Sequence, residues 1–172
     1  MSEVSATSGP SADFVPPPER ELKVRPFAQF FMTLSSYGQP EYDLGPTPEG
    51  HLSLGVITGG WIKGDRLNAR VLDGIDYGLR RPDDTHVPVI GLVCETDAGD
   101  QFLMSYKGII TPISEVTKAR RGEPFDPDLI SWKIFVTFAT SAPAIDWLNR
   151  TQVVGQGSVA NGGFHYWAYE LD

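Results

Sequence analysis

The sequence predicts an all-β protein: an antiparallel barrel or sandwich of about nine strands with one or two short helices. Three observations lead there. Glycine and proline, at 18 and 14 of 172 residues, make up about 19% of the chain, which favours many turns and short strands over a helical bundle. Short apolar segments follow one another between turn dipeptides. There is no regular strand–helix rhythm, so a doubly wound parallel sheet does not fit.

The elements follow in chain order. Residues 1–20, Ser/Pro-rich with Pro16, Pro17 and Pro18 in a row, read as a flexible N-terminal arm, because consecutive prolines remove donors and fix an extended path. Residues 21–172 then form a single domain. Residues 27–34 are an aromatic-rich strand, and 42–50, with two prolines and two glycines, a loop. Residues 51–58 are a strand ending at Gly59-Gly60; 67–72 are a strand closed by the turn dipeptide Asp73-Gly74, and 75–80 resume the extended pattern. Strands at 87–95 and 101–108 flank a hairpin loop, 96–100. At Thr111-Pro112 a hydroxyl precedes a proline at a first helical position, predicting a helix to about Arg121 with Gly122 as its stop. Residues 131–140 are a long strand. Ser141 is placed to cap a short helix at 142–149. Strands at 151–154 and 164–171 flank a turn containing Asn161-Gly162-Gly163.

In the long strand, Trp132, Ile134, Val136 and Phe138 share one side, opposite Lys133, Phe135 and Thr137, the period of two that a sheet with one apolar face requires. Phe102, Met104 and Tyr106 form a similar set, so closure of the sheet puts such sets inside.

Composition excludes several functions. The formal charge of −8 argues against nucleic acid and against an anionic membrane surface. The single cysteine, Cys94, excludes an internal disulfide and a cysteine-based zinc site. No apolar run approaches roughly 18 residues, and no basic region followed by an apolar stretch opens the chain, so a cytoplasmic protein without a membrane partner is expected. Gly155-Gln156-Gly157 lacks the third glycine of a dinucleotide fingerprint, and there is no phosphate-binding loop or nucleophile elbow. His51, His86 and His165 are too far apart in sequence for a local metal motif. No cofactor and no metal are expected.

From GPTPEG at 45–50 and ITGG at 57–60 onward, the chain resembles a known family. The pattern continues through VLDGIDY (71–77), RPD (81–83), ETDAG (95–99), RRGEPFDP (120–127) and PAIDWLNRTQVVGQG (143–157). The resemblance is to the bacterial and fungal family called domain of unknown function 3237 and covers about residues 27–172. It implies a lipocalin-like antiparallel β-barrel with a central cavity and little about chemistry. Two stretches depart from the family's pattern, Ser105-Tyr106-Lys107-Gly108 and Phe138-Ala139-Thr140-Ser141, where more polar residues are usual. If these positions line the cavity, the ligand is less polar than the family's or is handled by Tyr106.

Candidate site residues each have a structural alternative. Asp76 follows the Asp73-Gly74 dipeptide and is either a cavity carboxylate acting as general base, beside the orienting phenol Tyr77, or a turn-closing acid. Tyr106 is a hydrogen-bond donor to substrate or a packed core phenol. Trp132 and Phe138 are interior-facing candidates for substrate contact. Trp147 is either a substrate contact or the plug of one barrel end. Asn149 either caps backbone carbonyls or points at a ligand. At Thr58-Gly59-Gly60 the close backbone approach serves a bulge or an oxyanion site. His51, His86 and His165 are alternative bases, with Glu49 and His51 a candidate carboxylate–imidazole pair.

The expectation is a cofactor-free enzyme acting on a small, fairly apolar organic molecule in the barrel by isomerisation, dehydration or cyclisation, with natural-product metabolism as its setting. The alternative is a lipocalin-type carrier. A pocket holding a carboxylate of raised pKa favours the enzyme, and a wholly apolar pocket the carrier. Self-association into a homo-oligomer is compatible with either.

Overall fold

The computed structural model describes residues 15, 17–37, 40–160 and 162–172. The expected flexible arm falls mainly on residues 1–14 and 16, and Asn161 of the last expected turn is excluded too; all of these lie outside the described residues.

Nine strands run β1 (Val24–Leu34), β2 (Tyr42–Thr47), β3 (Gly50–Lys63), β4 (Asn68–Arg80), β5 (His86–Thr96), β6 (Gln101–Thr111), β7 (Ser131–Ala139), β8 (Val153–Ala160) and β9 (Gly163–Leu171). They pair antiparallel in the order β1-β9-β8-β7-β6-β5-β4-β3-β2, and β1 also pairs with β3. That last pairing closes eight strands into a barrel and leaves β2 outside as an added edge. Among the described residues, no helix is long and apolar enough to cross a membrane.

Closure requires β3 to change partners along its length. Its first half pairs with β2, from Tyr42↔Leu54 to Thr47↔Gly50. Its second half pairs with β1, from Gln29↔Lys63 to Leu34↔Ile57, with a register shift that leaves Thr58 as the extra residue. Gly60 adopts φ 149 beside this bulge, and a Cβ there would lie 2.0 Å from the Phe31 carbonyl oxygen. Only glycine fits so close an approach. The Thr58-Gly59-Gly60 segment therefore turns the barrel corner in mid-strand and does not end a strand.

Two further expectations are corrected. Residues 42–47 are a strand: exposed, polar and proline-containing, they pair only with β3, as an edge strand can. Asp73-Gly74 is no turn but lies within the continuous β4, next to a register shift between Val71 and Asp73. The Asp73 carboxylate accepts the Gly74 N–H at 2.7 Å, which is turn chemistry used inside a bulge. The count of nine strands survives because one unforeseen strand offsets two segments that fuse.

The strand alternation in β7 is as expected. Trp132, Ile134, Val136 and Phe138 are buried, while Lys133, Phe135 and Thr137 are exposed. Phe102, Met104 and Tyr106 are inside as well. They pack with Phe30, Met32, Ile57, Leu92, Cys94 and Tyr166 in one core. Burial pushes the Cys94 thiol up to about 12, so it is an inert core thiol.

The two ends are covered differently. Helix α1 (Ile113–Arg120) joins the end of β6 to the start of β7 through a short 3₁₀ turn, Pro127–Leu129. A longer 3₁₀ segment, Pro143–Arg150, joins the far end of β7 to β8, so the two lie at opposite mouths. The latter buries Ile145 and Leu148, and its Trp147 packs with Phe27 and Phe138, with Phe27 5.6 Å from Phe138 and 6.2 Å from Trp147.

Neither helix is capped as the sequence indicated. Thr111 ends β6 and Pro112 takes the N-cap position without a side-chain bond. The first turn of α1 is instead held by Asp84 from the β4–β5 loop. Its carbonyl accepts the Ile113 N–H at 2.8 Å, and its carboxylate accepts the Ser114 N–H at 3.2 Å and the Ser114 hydroxyl at 2.5 Å. Ser141 caps nothing; the Thr140 hydroxyl accepts the Ala142 N–H at 3.0 Å.

Phe138→Ala should destabilise the fold by roughly 3–5 kcal/mol, the usual loss on emptying an aromatic core site, and Phe135→Ala by under about 1 kcal/mol. Urea unfolding of the two variants checks this. Equal losses would mean that the faces of β7 are misassigned.

Candidate functional site

The α1 end of the barrel is the open one. Along β4, Ile75 and Tyr77 point outward, so Asp76 and Gly78 point inward. Asp76 stands between Gly55 of β3 and Ile90 of β5. Along β5 the inward set Cys94, Leu92 and Ile90 continues back through Pro88 to His86. Above them, α1 brings Val116 and Arg120 over the mouth. Together with Ser53 and Phe164, these groups enclose a cavity of 290 Å³. A deeper recess of 80 Å³, reaching Leu34, Gly55 and Gly78, shares Ser53, Asp76, His86, Arg120 and Phe164 with it.

The Asp76 carboxyl is the chemically unusual group. Its Oδ1 is fully buried and has no hydrogen-bond partner. Burial raises its pKa from the ordinary carboxylate range to about 7, against the opposing pull of Arg120. His86 shifts the other way: burial, then Arg120 and Arg80, lower its pKa to about 4, so the imidazole is neutral at neutral pH. Its ring lies directly against the Gly78 backbone, where a Cβ would come within 2.2 Å of Cε1. Glycine at 78 is thus what admits the imidazole.

Arg120 is held from three sides. Its Nε–H donates to the Tyr37 carbonyl at 2.6 Å, and its guanidinium sits 5.5 Å from the Tyr37 ring centroid and 5.6 Å from that of Phe164. Beneath the cavity, the Tyr106 hydroxyl lies 3.0 Å from that of Tyr166 and 3.3 Å from Met32 Sδ. Both phenols are pushed above their ordinary pKa, chiefly by burial, with the Asp76 charge adding to it. Trp132 packs edge-on to Tyr166 at 5.7 Å, its buried Nε1 outside hydrogen-bond geometry with any described group yet close enough to Tyr166 to oppose that phenol's rise slightly.

The sequence candidates are distributed unevenly around this site. Asp76 is in it. Tyr106 is adjacent but does not reach the cavity, because its hydroxyl is engaged by Tyr166 and Met32. Trp132 is in the core below. Phe138 and Trp147 belong to the opposite mouth, where Arg66 lies 4.0 Å over the Trp147 ring. Three candidates for substrate contact point away from the interior. Tyr77, 44% exposed, faces an apolar depression of 430 Å³ on the outer wall with Ile75, Val89 and Phe135, because strand alternation puts it opposite Asp76. Thr58 is pushed outward by the bulge. Asn149 is exposed, and both ends of its amide are bound to the Thr140 backbone, at 2.8 and 3.0 Å; it is the backbone cap and not a ligand contact.

The histidines are also resolved. His51 pairs with Asp43 at 2.5 Å on the rim, not with Glu49, which accepts the Thr47 hydroxyl. His165 lies on the outer wall, 5.8 Å from Trp61 and 4.5 Å from Trp167. Sequence reasoning missed Arg120, Ser53, Phe164 and Tyr37, and by starting the strand at residue 87 it left His86 just outside β5. Only His86 had a usable signal: the period-two inward set of β5, extended two steps back, ends on it. Among the described residues, no group of three or more His, Cys, Asp or Glu side chains could hold a metal ion.

An up-and-down eight-stranded barrel, plugged by aromatics at one end and open to a polar cavity at the other, has the architecture of barrels that hold one small molecule. The chain belongs to the family described as protein of unknown function (DUF3237), whose profile matches residues 26–171. A UPF0311 protein of Rhodopseudomonas palustris is 31% identical over 119 residues, which are 65% of this chain and 78% of that one. Its crystal structure, that of a conserved protein of unknown function, superposes with a TM-score of 0.76 at 22% identity, covering 90% of this chain and all (100%) of that one. A β-barrel-like protein from Acinetobacter baumannii gives 0.73 at 28% identity, over 93% and 100% of the two chains. A structure described as an enzyme from Penicillium herquei gives 0.68 at 17% identity, over 92% and 100%.

The raised pKa of Asp76 sets a stability signature. The folded state holds this proton when the unfolded chain has released it. Stability is therefore lost as pH rises from the unfolded carboxylate value through about 7, and the penalty is complete above that. His86 acts oppositely, with stability lost as pH falls from its unfolded value to about 4. Asp76→Asn should therefore stabilise the fold relative to wild type by a few kcal/mol more at about pH 8 than at about pH 3. Urea melts across this range check it; a gap that does not widen with pH would mean that Asp76 is solvated.

Proposed function

We propose that this protein is an acid/base enzyme that moves a proton on a small organic molecule held in the mouth cavity, in an isomerisation, dehydration or cyclisation. The observation that carries the reading is Asp76, a buried carboxyl facing a cavity with one oxygen left without a partner. A carboxylate stripped of its hydration is a stronger base than one in water, and a pKa of about 7 matches a general base to neutral pH.

In this reading, ionised Asp76 accepts a proton from an acidic O–H or C–H of an enol- or phenol-type substrate. Neutral His86 and Ser53 supply hydrogen bonds to its oxygens, and Leu34, Val116 and Phe164 pack its apolar body. Protonated Asp76 returns the proton to a different atom in an isomerisation or gives it to a departing hydroxyl in a dehydration. For a cyclisation, enclosure adds the entropic gain of holding the reacting ends together. Tyr106 acts below the floor through Tyr166 and not on the substrate. The scheme uses only side-chain groups of the chain.

A carrier gains nothing from a buried ionisable carboxyl that lowers stability at neutral pH, whereas an enzyme does. The description of the Penicillium herquei neighbour as an enzyme supports the same choice for this fold.

The test is proton exchange into phenolic and β-dicarbonyl compounds in heavy water, followed by NMR. The rate should rise with pH through an apparent pKa near 7. Asp76→Asn should lose about 10²–10⁴ of it with an unchanged circular dichroism spectrum, and Tyr106→Phe much less. Full activity in Asp76→Asn would remove the assignment and leave the carrier reading.

A further inference from the structure

The geometry points to a carboxylate as the polar end of the substrate: we propose that Arg120 makes the mouth cavity a receptor for organic monocarboxylates with a compact apolar body. This rests on the reading of the mouth as a substrate site and adds the class of molecule it takes.

A guanidinium carries five N–H donors in a fixed fork. Among the described residues Arg120 uses one, Nε–H to the Tyr37 carbonyl, while the residue lines both the outer cavity and its deeper recess. Three of the other basic groups nearby are matched. Lys118 pairs with Glu115, Arg80 with Asp84 at 3.3 Å and Arg81 with Asp83 at 2.7 Å. Arg120 forms no ion pair with any described carboxylate. In a chain of net charge −8, a half-enclosed cation that faces Asp76 across the cavity without a salt bridge to it, and whose remaining donors find no acceptor among the described residues, is suited to receive an anion.

The cation is also pre-organised. The Nε bond and the faces of Tyr37 and Phe164 fix the plane of the guanidinium, and Asp84 anchors the helix that carries it. Little side-chain entropy remains to be lost on binding. One fork matches the two oxygens of one carboxylate. Ile113, Val116, Phe164 and Leu34 supply the apolar walls for the rest of the molecule.

Binding and protonation are then coupled. Groups around Asp76 are Arg120 from α1, His86 from β5, Ser53 from β3, Arg80 on its own strand, Tyr106 and Tyr166 below, and the Asp43–His51 pair with Arg121 at the rim. Of these, Arg120 holds the Asp76 pKa down. A carboxylate paired with Arg120 cancels that pull, so the cavity takes up a proton as the ligand binds near neutral pH.

The experiment is calorimetric titration of the full chain with benzoate and naphthoate against their neutral amides, benzamide and naphthamide. The acids should bind at least about tenfold more tightly than the amides. Arg120→Gln should abolish the preference, and Arg120→Lys, which keeps the charge but not the fork, should retain part of it. Binding enthalpies of the acids should depend on the ionisation heat of the buffer in wild type and not in Asp76→Asn. Equal binding of acid and amide by wild type, no binding of either acid, or a preference that persists in Arg120→Gln would each overturn the proposal. The wild-type comparison stands even if an Arg120 variant fails to fold. Because these titrations read binding and not turnover, their failure leaves Asp76-dependent proton exchange as a separate result, and loss of that exchange leaves the titrations interpretable.

Discussion

The barrel depends on the corner in β3. Until β3 leaves β2 and joins β1, the nine strands are an open sheet with two edges and no inside. The change of partner takes place between Leu54 and Ile57, and just beyond it, at Thr58-Gly59-Gly60, one residue bulges out and Gly60 lets the Phe31 carbonyl approach to a distance no side chain would allow. Closure then converts the two faces of every strand into an interior and an exterior. The burial of Trp132, Tyr106 and Tyr166, and equally the exposure of Tyr77 on the outer wall, follow from that one pairing.

The two mouths differ because the connections across them differ. The 3₁₀ segment between β7 and β8 carries Ile145 and Leu148 into the opening, and Phe27, Phe138 and Trp147 complete an apolar plug. At the other mouth, α1 lies over the opening and contributes Arg120 as well as Val116. The barrel interior there ends on Asp76 and His86, and the cavity keeps room that side chains do not fill. The loop residue Asp84 connects this arrangement to the β4–β5 hairpin. The hairpin that carries Asp76 and His86 at the wall therefore also fixes the helix that carries Arg120 above them.

A carboxyl left without a hydrogen-bond partner is unfavourable for folding, and an imidazole held neutral becomes so in acid. Their neighbours make the arrangement tolerable. Tyr106, Tyr166, Phe30 and Met32 form a well-packed floor, with Phe30 stacked on Tyr166 at 4.4 Å, and Gly78 makes space for the His86 ring. Destabilising polar groups are thus confined to the one open mouth while the rest of the barrel is packed with apolar and aromatic side chains. That division is expected where binding strain is concentrated at a site and supported elsewhere.

By itself, the sequence determined the fold class, the inner and outer faces of residues 131–139, the inward turn of Tyr106 and the candidacy of Asp76. Each of these depends on local alternation, or on a family pattern carried along the chain. It foresaw a bulge at Thr58-Gly59-Gly60 but ended a strand there, and it read Asp73-Gly74 as a turn, because a bulge and a turn use the same residues and the same short-range hydrogen bonds. Tyr77 was drawn to the site as a neighbour of Asp76, although a period of two sends adjacent residues to opposite faces. The tertiary structure alone decided that Arg120 and Asp76 line one cavity. Its basic run reads locally as an ordinary helix C-terminus, and nothing in it records that the helix lies across a barrel mouth. Contacts between residues so distant in sequence come from strand closure and helix docking, which are set by the packing of the whole chain and not by any short segment of it.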